Sequence, residues 1–151
     1  MDITRRLVVP ALALALLLGC NALLLGCKKD GEGGSASSEP AKPLITKKYE
    51  ALTKEDLDAA ITGLGWVPGQ ASSSSGPSSN IMVTARKDAK TPAPRLIVAV
   101  FTVPAKDVAD AQKRRAAEYA VDVQGSSILG VKYDPADPAA SAKTLSRLLG
   151  K

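Results

Sequence analysis

Apolar positions recur along this chain in blocks of different period, and the blocks mark out its elements. The first block has no period: from Leu7 to Gly26 almost every residue is apolar, after a start that carries Arg5 and Arg6. The pattern then vanishes between Lys28 and Pro43, where KKDGEGGSASSEPAKP holds no apolar residue larger than Ala. A helical period opens after Thr53, with Leu57, Ala60, Ile61 and Leu64 on one face and Gly63 and Gly65 ending it. Thr53 followed by Asp56 matches a capping box. Trp66 to Ala71 fits a short strand broken by the Pro68-Gly69 turn, with Trp66 as a core plug, and Ser72 to Asn80, SSSSGPSSN, reads as a loop.

Ile81 to Lys87 alternates, which predicts a strand with one wet face. After a connection with two prolines, Arg95 to Val103 reads RLIVAVFTV, apolar on both sides, as a central strand does. The two most simply form an antiparallel hairpin. From Pro104 to Val123 a stripe of Ala105, Val108, Ala109, Ala116, Tyr119, Ala120 and Val123 predicts a helix. Gln124-Gly125 turns the chain into a third strand from Ser126 to Tyr133, in which Gly130 marks close packing or a bulge. Asp137 as N-cap and Pro138 at the first helical position open a last helix that buries Leu145, Leu148 and Leu149 before Gly150 stops it. The expected fold class is α+β: a small, mainly antiparallel sheet of three to four strands with the helices packed on one face, in two layers.

Composition divides the chain further. Residues 1–26 are expected to be a leader, 27–43 a flexible tether and 44–151 a single domain. Roughly a hundred residues suffice for one core without disulfide or metal. The chain has 20 Lys and Arg against 15 Asp and Glu, and without Arg5, Arg6 and Asp2 of the leader it keeps 18 against 14, a surplus too mild for a nucleic-acid footprint.

Both cysteines lie at the leader's end, in the sequences Leu17-Leu18-Gly19-Cys20 and Leu24-Leu25-Gly26-Cys27. A basic start, an apolar run, Leu-Leu-Gly-Cys and then a polar segment resemble the lipobox signal of bacterial lipoproteins. The resemblance implies cleavage before a cysteine, acylation of its sulfur with diacylglycerol, and a membrane partner through that lipid. An apolar run of about 7 to 15 residues favours Cys20, since Leu7 to Leu18 already supplies twelve. The abrupt change to Lys28-Lys29-Asp30 favours Cys27, which is taken as the acylated residue with Cys20 as the alternative. In the sorting rule of enteric bacteria, Lys28 or Asn21 after the cysteine implies the outer membrane, with the domain facing the periplasm or the cell surface.

The domain's chemistry is sparse. With no His anywhere and no Cys beyond residue 27, the usual ligands of zinc, copper and haem are missing, and no metal or other cofactor is expected. No glycine-rich phosphate loop follows a strand, and Asp134 to Pro138 lacks the oxygen pattern of a calcium loop. No catalytic residue is signalled. The expected function is non-enzymatic: a lipid-anchored envelope protein whose domain binds a partner protein, an envelope polymer or a small ligand. The alternative is a small exported hydrolase that uses carboxylates or a serine of the Ser72 to Ser79 loop. Lys113, Arg114 and Arg115 offer an anion or lipid contact, although Asp110 and Glu118 at helical spacing suggest a solvated, ion-paired face instead.

Overall fold

A computed structural model of the chain describes residues 42–151. They form an α+β domain with one five-stranded antiparallel sheet of order β1-β2-β3-β5-β4. In chain order come a 3-10 turn at Tyr49–Ala51, α1 (Lys54–Gly63), β1 (Val67–Ser74), β2 (Ser79–Arg86), β3 (Arg95–Thr102), a 3-10 turn at Ala105–Asp107, α2 (Val108–Ala116), β4 (Ala120–Gln124), β5 (Ser127–Asp134) and α3 (Pro138–Leu149).

The sheet has two more strands than the clear alternating patterns account for. β1 runs on through Ser72, Ser73 and Ser74 to pair with Met82, Ile81 and Asn80, so half of the expected serine loop is strand. An edge strand exposed on both faces needs no apolar alternation, which is why polarity alone misreads it. β4 lies inside the stretch expected to be helical. Glu118 and Tyr119 close the last turn of α2 onto the Arg115 carbonyl, and the chain then alternates through Val121 and Val123. A two-residue turn at Gly125-Ser126, with Gly125 at φ 61°, folds it back onto β5.

The helix signals correspond to real caps. Thr53 accepts from the Asp56 amide and Asp56 accepts from the Thr53 amide, the reciprocal pair of a capping box. Asp137 accepts from the Ala140 amide at 2.9 Å to start α3, and Gly150 ends it with φ 68°. An unforeseen part of the domain precedes α1. The amides of Leu44 and Ile45 both donate to the Leu148 carbonyl at 3.0 Å, and Ile45, Tyr49 and Leu52 are buried. Their i, i+4, i+7 spacing matches a helical face, but the segment forms only a single 3-10 turn and is buried by distant elements.

The core lies on both sides of the sheet. On one face Val83, Ala85, Leu96, Val98, Val100, Leu129 and Val131 meet Leu57 and Ile61 of α1 and Leu145 and Leu148 of α3. Trp66 joins this side as a plug, edge-on to Tyr133 at 5.4 Å, and the Tyr133 hydroxyl is 3.0 Å from that of Thr144. On the other face Ala99, Phe101 and Ile128 meet Ala111 of α2 and Tyr119. The helices therefore do not all share one face. β3 is apolar on both sides, and an uncovered Phe101 would leave a large ring in water, so α2 crosses over to shield it. The helix presents Val108, Ala111 and Arg115 to the sheet, not the stripe expected through Ala109 and Ala116, both of which are exposed.

Candidate functional site

The second face of the sheet is only partly roofed, and its open part is the candidate site. Strand alternation puts Met82, Thr84 and Arg86 of β2 beside Ala99, Ile97 and Arg95 of β3 in three successive cross-strand pairs. Ala99 is buried beneath the α2 side, Met82, Thr84 and Ile97 are half-buried, and Arg86 and Arg95 are exposed. The surface thus grades from apolar to cationic along two strands, outward from the edge of α2.

At the cationic end a cleft of about 470 Å3 is walled by Gly69, Gln70, Thr84, Arg86, Asp88 and Arg95, among others. Its shape comes from a bulge in β1 between Pro68 and Ala71, where the register to β2 shifts. The bulge brings Gly69 so close to β2 that a Cβ there would lie 2.9 Å from the Thr84 carbonyl oxygen, a contact that only glycine avoids.

Arg86 and Arg95 stand directly opposite each other. Cross-strand partners have Cβ atoms about 4.5–5.5 Å apart, and like charges placed so repel. Among the described residues neither guanidinium forms an ion pair. Asp88, the carboxylate in the cleft wall, is committed elsewhere: it accepts from the Thr91 hydroxyl at 2.8 Å and from the Thr91 and Lys90 amides at 2.6 and 2.8 Å. The Thr91 bonds, with help from the Lys90 amide, hold its carboxyl below the usual carboxylate range. Asp134, opposite Arg95 on β5, makes no ion pair with it either. Arg95 donates through Nε to the Pro92 carbonyl at 3.2 Å, which orients the guanidinium and leaves its terminal nitrogens free of that bond.

The three cations of the expected cluster on α2 do not share one environment. Arg115 turns toward the sheet, with its guanidinium 4.1 Å from the centre of the Phe101 ring, a stacking contact that also covers the ring. Lys113 and Arg114 remain in solvent. The ion pairs foreseen with Asp110 and Glu118 are absent among the described residues, and Glu118 instead pairs with Lys132 at 3.2 Å while Lys132 sits over the Tyr119 ring.

The serines of the alternative hydrolase reading are also dispersed. Ser72, Ser73 and Ser74 are exposed along the β1 edge, and Ser74 bonds the Asn80 side chain at 3.0 Å. A cleft of about 430 Å3 joins Ser72 and Ser73 to Lys54, but Lys54 is ion-paired to Asp58. Cys20 and Cys27, the expected lipidation residues, lie outside the described residues. Among the described residues no group of three or more acidic or sulfur ligands is positioned to hold a metal ion, and no helix is long and apolar enough to cross a membrane.

A half-buried polar network closes the opposite edge of the sheet. The Tyr49 hydroxyl donates to Asp122 at 2.7 Å, the Tyr49 amide donates to Gln124 at 2.9 Å, and Lys151 pairs with Asp122 at 3.0 Å. Desolvation works to raise the Asp122 carboxyl, but the bonds from Tyr49 and Lys151 outweigh it and hold it low. Desolvation first, and then the bond to Asp122, push the Tyr49 phenol up. A lowered carboxyl adds stability that is present above about pH 4 and is lost as the pH falls through its folded value. A raised phenol adds stability that is present below about pH 10 and is lost as the pH climbs toward its folded value. Tyr49→Phe is therefore expected to cost about 1 kcal/mol near neutrality, with a gap to wild type that narrows in both acid and alkali. Denaturant titrations across pH check this, and a gap independent of pH would refute it.

Compared with protein-family models, with curated proteins and with solved structures, the chain matches none of them.

Proposed function

We propose that this protein is a lipid-anchored envelope lipoprotein whose domain is a non-catalytic binding module, held to the membrane through an acylated cysteine and presenting the open sheet face to a partner in the envelope. The observation that carries the binding reading is the graded surface of Met82, Thr84, Ile97, Arg86 and Arg95, half-apolar and half-cationic, on a rigid two-strand platform beside a helix that stops short of covering it. A monomeric domain gains stability by roofing such a face, and α2 is long enough to roof only the Phe101 end. The anchoring reading rests on the duplicated Leu-Leu-Gly-Cys motif and the polar stretch after it.

The two halves are tested together in intact cells. A photo-crosslinking amino acid at Ile97 is expected to give a discrete adduct recovered with the membrane fraction, where the same probe at exposed Ala109 gives none. Cys20→Ala combined with Cys27→Ala is expected to release the protein from membranes. Retention of the double variant overturns the anchoring half, and the lack of any adduct from Ile97 overturns the binding half.

A further inference from the structure

The open face ends in a pair of arginines whose mutual repulsion works against the fold. Two arginines occupy directly opposed positions on adjacent strands, where like charges cost stability and where one Lys, Gln or Thr would serve a solvated surface equally well. Of the nearby carboxylates, Asp88 is tied to its own turn, and Asp134, directly opposite Arg95 on β5, offsets part of that charge through space without closing an ion pair, while Arg86 has Val67 and not a carboxylate on its other side. One guanidinium is held in place by the Pro92 carbonyl. Around them the cleft adds neutral groups able to donate, the Gln70 amide and the Thr84 hydroxyl, beside a backbone brought close by the bulge at Gly69.

We infer that Arg86 and Arg95 form an oxyanion-binding site, in which the two planar guanidiniums clamp a phosphoryl or carboxylate group at the rim of the open face. Arginine suits this role better than lysine, because its forked donors meet two oxygens at once and bind more firmly than a point charge does. A bound anion shared by the two side chains in the cleft wall offsets their mutual repulsion. The apolar strip of Ile97 and Met82 leads away from the clamp, so the anion is expected to be carried by a larger partially apolar ligand lying along the two strands. The inference rests on the open face being a binding surface, and it names the chemistry recognised at one end.

The test titrates inorganic phosphate and succinate separately into the isotopically labelled full chain in detergent, at ionic strength matched with chloride, while backbone amides and arginine Nε resonances are followed. Saturable shifts confined to Gln70, Thr84, Arg86 and Arg95 are expected. Arg86→Gln and Arg95→Gln should each weaken binding about tenfold or more, as loss of one charge-assisted contact does, and the double variant should abolish it. Arg86→Gln should unfold at a temperature no lower than wild type without the anion, since it relieves the repulsion and gives up no opposed carboxylate. Tighter binding of phosphate assigns the site to a phosphoryl group, and tighter binding of succinate to a carboxylate. Shifts spread over all lysines and arginines, shifts equally produced by chloride, or affinity unchanged in the double variant would each overturn the assignment. An Ile97 adduct that forms equally well in the double variant while phosphate and succinate give no local shifts removes the oxyanion and leaves the binding face standing.

Discussion

Leu148→Ala is expected to lower the thermal unfolding midpoint by about 10 to 20 °C, the loss that follows from about 2–5 kcal/mol in a domain of this size. Leu148 is fully buried among the α1, α3 and sheet side chains of the larger core, so truncation leaves a cavity lined by residues that cannot all close in. Its carbonyl also receives the amides of Leu44 and Ile45, so any relaxation of the last turn of α3 to fill the cavity disturbs the segment that precedes α1. Leu149, half-buried at the margin of the same cluster, is the control and should lose far less on the same substitution. A midpoint within about 4 °C of wild type for Leu148→Ala would mean that the site is not tightly packed.

Gly130→Val is expected to cost about 1–3 kcal/mol, because Gly130 is the place where β5 lets two rings close over it. A Cβ there would lie 3.1 Å from Cδ1 of Tyr119 and 3.3 Å from Cε2 of Phe101, with the two rings themselves edge-to-face at 5.6 Å. Gly130→Ala should fall within about 1 kcal/mol of wild type, since a strand glycine carries an entropic cost of its own that offsets mild crowding. Adding Tyr119→Ala to Gly130→Val should restore part of what the valine alone removes. Strictly additive losses in that double-mutant cycle would show that the rings are not what excludes a side chain at this position.

Gly130 also shows what a sequence can say. A lone glycine in an alternating strand signals either a bulge or a close approach, and only the position of Tyr119 across the hairpin decides for the latter. The α+β class, the caps at Thr53 and Asp137, the β2–β3 hairpin and the Leu57–Ile61 face were all legible, because each depends on local chemistry or on a period set by the backbone. What stayed hidden depends on tertiary partners. Ile45, Tyr49 and Leu52 fall at a helical spacing too short to stand out, and contacts with distant elements bury them around a single 3-10 turn. β4 passes for helix because Tyr119, Ala120 and Val123 satisfy a helical stripe while Tyr119, Val121 and Val123 satisfy a strand alternation over the same few residues, and only pairing with β5 chooses between them. β1 is polar on both faces and owes its existence to the ladder with β2.

The candidate site was harder to read than the fold. Lys113, Arg114 and Arg115 stand out as a run in the sequence, yet one of them is stacked on Phe101 and the other two stand exposed. Arg86 and Arg95 are separated by a nine-position interval across a proline-containing loop, so nothing local joins them. The hint lay in the alternation, which puts Arg86 on the wet face near the end of one strand and Arg95 at the start of the next, but the register that sets them face to face is a property of the folded hairpin.

The two ends of the described chain come together at one corner, where Leu44 and Ile45 hang from the final turn of α3 and Lys151 grips Asp122. A pull delivered through the residues before Leu44 therefore loads the short tie to Leu148 first and reaches the strand ladders only after that tie gives way. The first described residues are thus fastened to the last helix, and not to the strands that carry the paired arginines.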